Sequence, residues 1–278
     1  MLHLIIGGAG CGKSTRLIGQ IRKAYEQGER IYALVPEQYS FTNDLKLYEA
    51  LGPTAFNAIQ SLSFTSLARA LFQQYGGRSG EYADDLTKTI LLYQSIRALS
   101  DSSAFSHFDR QAKKPAFQDA AAKAITELRR GSISPEVLLE QTARLEGRLR
   151  DKAADLAVLY GDYDRRLREK GYKDSLTDIT EAAALCAGNE HFKGALLFLD
   201  EFESFTGDQM EFLDVLFAQA KELWITLRTE DPEAPAYSVF DATNATYRRL
   251  LALAQKHRTR HEILLCKEPF RFRYPDLT

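Results

Sequence analysis

Short apolar runs alternate with amphipathic segments through the first 75 residues. Residues 2–6 (LHLII) are almost continuously apolar, which is typical of a strand buried on both faces of a parallel sheet. A glycine-rich segment follows, and the spacing of apolar residues then predicts a helix from about Lys13 to Gln27, which ends at Gly28. The later elements predicted here are a strand over residues 30–35, a helix over 41–51, a weak strand near 58–61 and a helix over 64–75.

The pattern becomes helical in the middle of the chain. From about Asp84 to Ala187 apolar residues recur at helical spacing, and no segment favours a strand. Ser134 is placed to cap a helix whose first turn contains Pro135. The other predictions are helices over residues 116–130 and 148–170, a helix that begins at Asp174 or Ser175, strands over 195–199, 223–227 and 262–266, and helices over 207–220 and 243–256.

Strand–helix alternation on both sides of a helical stretch is typical of one α/β domain interrupted by an insertion. The predicted fold class is therefore α/β, a parallel sheet flanked by helices with a large all-α insertion. We assign residues 1–80 and 188–278 to the sheet domain and residues 81–187 to the inserted helical domain. Because only a short tail follows the last predicted strand, we expect the chain to be a fragment of a longer protein.

Composition and charge narrow the class of protein. The 278 residues are 45% hydrophobic and include 36 basic and 38 acidic side chains, a net charge of −2, so overall charge gives no indication of a nucleic-acid partner. Three widely spaced cysteines favour a reducing compartment over a disulfide-rich scaffold. No apolar run reaches roughly 18 residues, the length of a membrane span, and we expect a cytoplasmic protein with no membrane partner.

The glycine-rich segment after the first strand has the spacing G-x-x-x-x-G-K-S, from Gly7 to Ser14. Glycines let the backbone curl with its N–H groups pointing inward, and the positive end of the following helix adds to the attraction for phosphate. In such a P-loop Lys13 reaches the β- and γ-phosphates as a catalytic residue, and Ser14 is a ligand of Mg²⁺. We predict that ATP binds here with Mg²⁺, and that Cys11 is a small filler rather than a nucleophile. The predicted nucleotide-binding residues are Gly7, Gly8, Ala9, Gly10, Cys11, Gly12, Lys13, Ser14 and Thr15.

Two carboxylates follow the strand predicted over residues 195–199. Asp200 and Glu201 come directly after it, as in a Walker B element, in which the aspartate holds Mg²⁺ and the next carboxylate activates water. We predict Asp200 as a metal ligand and Glu201 as a catalytic residue. About 190 residues separate this pair from the P-loop. That spacing exceeds what small kinases and GTPases need, and it favours a RecA-like, helicase-like domain.

Four segments resemble a known family. Residues 200–209 (DEFESFTGDQ) are similar to motif II of superfamily 1 helicases of the UvrD and RecB type, and residues 163–172 (YDRRLREKGY) are similar to the segment that precedes it. Residues 35–38 (VPEQ) and 59–68 (IQSLSFTSLA) resemble motifs Ia and Ib of the AddB subunit of the bacterial AddAB helicase–nuclease.

The resemblance implies the N-terminal part of a subunit that acts on DNA in double-strand break repair and recombination. It also implies an AddA-like helicase–nuclease subunit as the partner in a heterodimer. The AddB family has a second RecA-like domain and a C-terminal nuclease domain with an iron–sulfur cluster. We expect that cluster only in the C-terminal region that this sequence lacks, since its three cysteines do not have the cluster's spacing.

The sequence departs from an active superfamily 1 motor at two places. Glu203 stands where motif II has glutamine, and residues 228–231 (RTED) contain no motif III glutamine. Arginine fingers, which contribute roughly 10³–10⁵ in rate in P-loop NTPases, would come from the second RecA-like domain. We therefore expect ATP binding with at most weak hydrolysis. The alternative is a scaffold without motor activity that recognises DNA sequence and docks the partner subunit. A small-molecule phosphotransferase is disfavoured by the insertion.

Candidate DNA contacts lie at predicted strand ends. Gln38 belongs to the VPEQ segment, and Ser63 and Phe64 are placed to touch a DNA backbone and stack on a base, although Phe64 is equally typical of a core residue. For basic side chains of the insertion, solvated helix faces are more common than phosphate contacts. These side chains are Lys113, Lys114, Arg129, Arg130, Arg148, Arg150, Arg165, Arg166 and Arg168.

Overall fold

The structure, a computed structural model, describes residues 1–56, 59, 61–77, 80–233 and 239–267. Backbone contacts divide them into two compact units. The sheet unit comprises Met1–Tyr75, Ala182–Phe205 and the described residues from Gln209 onward. The helical unit comprises Gly76–Glu181 together with Thr206–Asp208.

The described residues form eight strands and ten α-helices. The strands are β1 (Leu2–Gly7), β2 (Ile31–Leu34), β3 (Ser61–Leu62), β4 (Glu81–Tyr82), β5 (Tyr172–Lys173), β6 (Leu196–Leu199), β7 (Glu222–Arg228) and β8 (His261–Cys266). The helices are α1 (Lys13–Glu26), α2 (Ser40–Phe56), α3 (Phe64–Tyr75), α4 (Asp85–Asp101), α5 (Pro115–Arg130), α6 (Pro135–Thr142), α7 (Gly147–Glu169), α8 (Asp178–Asn189), α9 (Gly207–Gln219) and α10 (Asp241–Lys256).

Six strands of the sheet unit form one sheet in the order β3-β2-β6-β7-β1-β8, and each described pairing is parallel. Strands β1 and β6 are buried along their whole length, as expected for apolar runs covered on both faces. On one face Leu17 and Ile21 of α1 pack in a core that includes Ile5, Phe198 and Trp224. The α/β class and the parallel sheet predicted from the sequence are confirmed.

Two predicted elements differ from the structure. The helix expected over residues 41–51 continues as α2 to Phe56, but Gly52 interrupts it with a φ of +79° just before Pro53. The weak strand expected near residues 58–61 is β3 (Ser61–Leu62), and residues 58 and 60 lie outside the described part of the chain.

The expectation of no strand between residues 84 and 187 is wrong. Strand β5 pairs with β4 in a separate parallel ladder, with Glu81 opposite Tyr172 and Tyr82 opposite Lys173. Each strand has only two residues, too few for a period of two to emerge from the sequence.

A buried ion-pair network corrects one candidate DNA contact in the helical unit. Arg129 is only 5% exposed, and its guanidinium donates to the carboxylates of Asp164 and Asp174. Lys88 also donates to Asp174, at 2.8 Å. Because a buried charge must be paired within the protein, Arg129 holds α5 to its neighbours and is not available to a DNA phosphate.

Asp155 of α7 holds the segment that follows α4. It is 3% exposed and accepts bonds from the backbone N–H groups of Ser106, His107 and Phe108 at 2.7–3.0 Å, and from the Ser106 hydroxyl at 3.0 Å. A single carboxylate therefore accepts from three successive backbone N–H groups in a segment that has no regular secondary structure.

We expect Asp155→Ala to lower the free energy of unfolding by at least about 3 kcal/mol, because it leaves several enclosed donors without a charged acceptor. Denaturation with urea, followed by circular dichroism, measures this. Asp151→Ala is the matched control on the same helix, since the Asp151 side chain is 43% exposed. It should change stability by no more than about 0.5 kcal/mol. Equal effects of the two substitutions would contradict the role given to Asp155.

Candidate functional site

The carboxyl ends of β6, β7, β1 and β8 lie side by side at one edge of the parallel sheet. This edge is where α/β proteins usually bind ligands, because the loops that leave the strands enclose a crevice there. The glycine loop, defined as residues Gly8–Gly12, leaves β1 at this edge and leads directly into α1.

Two glycines give the loop its curled backbone. Gly10 and Gly12 have φ values of +71° and +81°, in the left-handed region that side chains disfavour. Gly12 is also the N-cap of α1 and offers no capping side chain. The first backbone N–H groups of α1 are therefore left for an outside acceptor.

Lys13 reaches back across the glycine loop. Its ammonium donates to the carbonyl oxygens of Gly7 and Gly8, at 2.9 and 2.6 Å. The positive charge thus lies beside the loop and the start of α1, where both the helix dipole and the lysine attract an anion. Ser14 is half-buried in the first turn of α1, and Thr15 is exposed.

Asp200 is buried at the end of β6, two strands away from β1 in the sheet. It is 3% exposed, and its Oδ1 accepts from the Thr226 hydroxyl and from the backbone N–H of Glu201. Its Oδ2 is buried with no hydrogen-bond partner. A carboxylate oxygen without a hydrogen-bond partner is a type of ligand that Mg²⁺ takes, and the metal role of Asp200 stays a prediction.

Thr226 was missed by the sequence predictions. It is a hydroxyl in the otherwise apolar core of β7 (LWITL), is 3% exposed, and faces Asp200. A lone polar side chain within a buried strand was the signal that could have identified it, because such a group needs a partner.

Glu201 has a strained backbone. Its φ is +63°, a conformation that is uncommon for residues other than glycine and that clusters at functional sites. The side chain is 38% exposed, and its carboxylate lies 3.4 Å from the Lys46 ammonium. Glu201 can therefore act toward solvent while Asp200, its neighbour, points into the protein.

The two segments at which the sequence departs from the motifs of an active motor lie in different environments. Glu203 forms an exposed ion pair with Arg228 at the end of β7. Thr229 is fully buried and donates to the Asn244 side chain at 2.7 Å. This segment is therefore held by contacts with its own unit.

Glu230 is a second residue that the sequence predictions missed. Its carboxylate would lie 3.3 Å from a methyl group placed at Gly8, so it borders the glycine loop. The signal that could have identified it is its position: Glu230 comes just after β7, as Asp200 comes just after β6, and β7 neighbours β1 in the sheet. A cavity of about 280 Å³ adjoins this point, lined by Ile6, Gly7, Gly8, Ala9, Cys11, Glu230, Leu265, Cys266 and Lys267.

The candidate DNA contacts lie in different environments. Gln38 is exposed in a 3₁₀ turn after β2. Ser63 is 6% exposed and exchanges hydrogen bonds with Ser66 at the start of α3. Phe64 is 2% exposed and packs edge-on against Phe202, Phe205 and Phe212. Its ring is therefore a core side chain and cannot stack on a base here, whereas contacts by Gln38 and Ser63 stay predictions.

The described residues contain neither a clustered metal site nor a helix that could span a membrane. No group of three or more His, Cys, Asp or Glu side chains in that part of the chain could hold a metal ion. Within the same residues, no helix combines the length and apolar character that crossing a membrane requires.

A family model and several known proteins match the chain, in line with the resemblance of its motifs. The family model, described as "ADDB, N-terminal", matches residues 4–278. The B subunit of the ATP-dependent helicase/deoxyribonuclease of Clostridium perfringens (strain SM101 / Type A) is 31% identical over 260 residues, which are 92% of this chain and 22% of that protein.

Proteins of the same name from two other organisms are similar. The one from Clostridium acetobutylicum is 30% identical over 92% of this chain and 22% of its own length. The one from Clostridium botulinum (strain Hall) is 32% identical over 82% of this chain and 20% of its own length. The chain thus spans about a fifth of the length of these curated relatives.

We expect Gly7→Ala to destabilise the protein by about 1–3 kcal/mol, since an added methyl would overpack this site. It would lie 2.4 Å from the Cys266 carbonyl oxygen and 2.5 Å from Cys11 Sγ. Gly19→Ala in α1 is the matched control, because a methyl there meets nothing within 4 Å and should stabilise the helix by up to about 1 kcal/mol. Thermal unfolding of both variants tests the pair, and stabilisation by Gly7→Ala would show that the packing is wrong.

Proposed function

The chain belongs to the AddB N-terminal family, and from this premise we propose that it is the ATP-binding, helicase-like region of the B subunit of an ATP-dependent helicase/deoxyribonuclease. The single observation that carries the proposal is the Lys13 ammonium beside the glycine loop and the uncapped start of α1. In this proposal the glycine loop is a P-loop, the sheet unit is a RecA-like domain, and ATP is the ligand.

Lys13 is the first residue with a defined task. It now donates to the carbonyls of Gly7 and Gly8, which are neutral acceptors. A phosphate oxygen carries full negative charge and makes a stronger, charge-assisted hydrogen bond. The ammonium therefore gains energy by turning from the loop carbonyls to the phosphates. The N–H groups of the loop and of the first turn of α1 surround the same charge.

Mg²⁺ is the metal that this ligand requires, and two residues would hold it. Ser14 offers a hydroxyl in the first turn of α1, and Asp200 offers the buried Oδ2 that has no protein partner. The cation would supply neutralisation of the phosphate charge. The Thr226 hydroxyl orients the Asp200 carboxylate by occupying its other oxygen.

Glu201 is the proposed base for an attacking water, since its carboxylate is exposed beside the buried Asp200. Its ion pair with Lys46 keeps the side chain near α2. Turnover should nevertheless be weak. The Glu203 carboxylate forms an ion pair with Arg228. Glu230 places a negative charge beside the loop that would bind the phosphates.

The relatives are named as B subunits, which suggests a complex with another subunit, and we propose an AddA-like helicase–nuclease as the partner. DNA is the proposed substrate of the complex, in the repair and recombination of double-strand breaks. Gln38 is the exposed candidate for a DNA contact on the sheet unit.

A scaffold without motor activity is the second candidate function. The specific observation that favours it is the ion pair between Glu203 and Arg228. Glu203 stands where motif II of a motor has glutamine, and its side chain is occupied by this pair. On this proposal nucleotide binding keeps the fold in one conformation while the protein recognises DNA and docks its partner.

We expect Lys13→Ala to weaken the binding of ATP by about 10- to 100-fold, because it removes a hydrogen bond to a charged group. Titration of the purified chain with a fluorescent ATP analogue and Mg²⁺ measures this. Lys23→Ala is the matched control, since Lys23 is exposed in the last turn of the same helix, and its affinity should equal that of the wild type. If the wild-type chain has no affinity for nucleotide, the proposal fails.

A second measurement separates the two candidate functions. The full-length protein, assembled with its partner, is assayed for DNA-stimulated ATP hydrolysis and DNA processing with Lys13 intact or replaced by alanine. A loss of both in the variant supports an ATP-driven role for this site. Unchanged hydrolysis and processing support the scaffold, with the partner as the only motor.

A further inference from the structure

The side chains of Cys11 and Cys266 both lie where a Gly7 side chain would be. Strand β8 pairs with β1 in a register that places Cys266 opposite Gly7, while Cys11 folds back over Gly7 from the glycine loop. A methyl group on Gly7 would lie 2.5 Å from Cys11 Sγ and 3.1 Å from Cys266 Cβ. The two cysteines are thus separated by little more than the space of one absent side chain.

Because both side chains border the space that a Gly7 side chain would fill, they are close enough for a disulfide to be considered. A bridge needs Cβ atoms about 3.5–4.5 Å apart and sulfurs about 2.05 Å apart, and the missing side chain of Gly7 leaves the volume in which the sulfurs can meet. Both thiols are free, and both line the cavity of about 280 Å³ beside the loop. A small oxidant can therefore enter the place where the bond would form.

The sequence alone predicts that Cys11 is a small filler, but its surroundings in the structure favour reaction. Its Sγ lies 3.8 Å from the Lys13 ammonium, and it precedes the N-cap of α1 by one residue. A nearby cation and a helix N-terminus are typical surroundings of reactive cysteines. Cys266 is partly exposed at the end of β8, so it can serve as the second, resolving thiol.

Cys186 provides the contrast within the same chain. Cys11 is also buried, at 5% exposure, but it lines the cavity beside the loop, whereas Cys186 does not. Cys186 is fully buried in the sheet unit, and burial raises the pKa of its thiol to about 11. It remains a protonated thiol at neutral pH and is protected from oxidants, so it should stay reduced under conditions that oxidise the other two cysteines.

We propose that Cys11 and Cys266 form a reversible disulfide under peroxide, and that this bond lowers the affinity of the glycine loop for nucleotide. The Cys11 thiolate attacks hydrogen peroxide, the O–O bond breaks, and a sulfenic acid and water form after one proton is taken up. The Cys266 thiol then displaces the second water and closes the S–S bond. In sum, two thiols and one peroxide give one disulfide and two waters.

The effect of the disulfide on nucleotide binding follows from its position at the glycine loop. This effect rests on the proposed function. The disulfide draws Cys11 from the Gly8 carbonyl, which its thiol now contacts at 3.1 Å, and ties the loop to the end of β8. Phosphate binding needs the loop to curl around the ligand with its N–H groups inward. A bond to the neighbouring strand would pull Cys11 toward β8 and distort the curled loop.

Disulfide formation is tested in the full chain with hydrogen peroxide, followed by alkylation, proteolysis and mass spectrometry. We expect a peptide pair linked through Cys11 and Cys266, with Cys186 alkylated only after denaturation. Cys186→Ser should form the same linked pair, and Cys266→Ser should form none. Recovery of Cys11 and Cys266 as separate thiols or separate oxidised acids, or only bridges between chains on non-reducing gels, overturns the inference.

Nucleotide binding is measured on the same samples with a fluorescent ATP analogue. The oxidised wild type should bind at least about tenfold more weakly than the reduced protein, and dithiothreitol should restore its affinity. The Cys266→Ser variant should show no comparable loss at the dose that fully links the wild type. An intact affinity in the linked protein overturns the regulatory part. If the reduced protein binds no nucleotide at all, the proposed function fails, while the disulfide result stands by itself.

Discussion

The pairing of β1 with a strand on each side is the constraint on which the site depends. Strand β1 lies between β7 and β8 and is buried along its length, and near its start His3 stacks on Trp224 of β7 at 3.7 Å. The two ladders fix where β1 ends and therefore where the glycine loop begins. They also bring the ends of β7 and β8, with Glu230 and Cys266, next to that loop.

The space around Gly7, the first glycine of the motif, restricts which residue can stand there. Gly7 is enclosed by Cys11 and Cys266, and no larger residue fits without a shift of the backbone. The same crowding brings two thiols together and leaves a cavity beside them. The requirement for a glycine and the opportunity for a disulfide therefore have one geometric origin.

Charge divides the site into a part suited to binding and a part that opposes turnover. The Lys13 ammonium and the start of α1 attract phosphate, and the unpaired Asp200 oxygen suits Mg²⁺. Glu230 places a negative charge by the same loop, and Glu203 is occupied by Arg228. If the proposed function is correct, such a site would hold a nucleotide more readily than it hydrolyses one, in keeping with either an ATP-bound helicase-like region or a scaffold.

Local patterns were sufficient for most of the elements. The glycine and lysine spacing between β1 and α1, the apolar run of β6 and the boundaries of α3 all follow from periodicity and from residues with special backbone preferences. Strands β4 and β5 were missed because two residues carry no period. The roles of Phe64 and Arg129 were ambiguous from the sequence, because each side chain can either pack inside the protein or contact DNA. Their burial decides for the first role.

The sequence by itself determined the chemistry of the glycine loop, since Gly10, Gly12 and Lys13 act within one short segment. Tertiary structure alone decided what surrounds that loop. Thr226 faces Asp200, Glu230 faces Gly8, and Cys266 lies opposite Gly7, although these partners come from distant parts of the chain. The physical reason is that a parallel sheet brings the carboxyl ends of its strands to one edge, and strand order and register exist only in the folded protein.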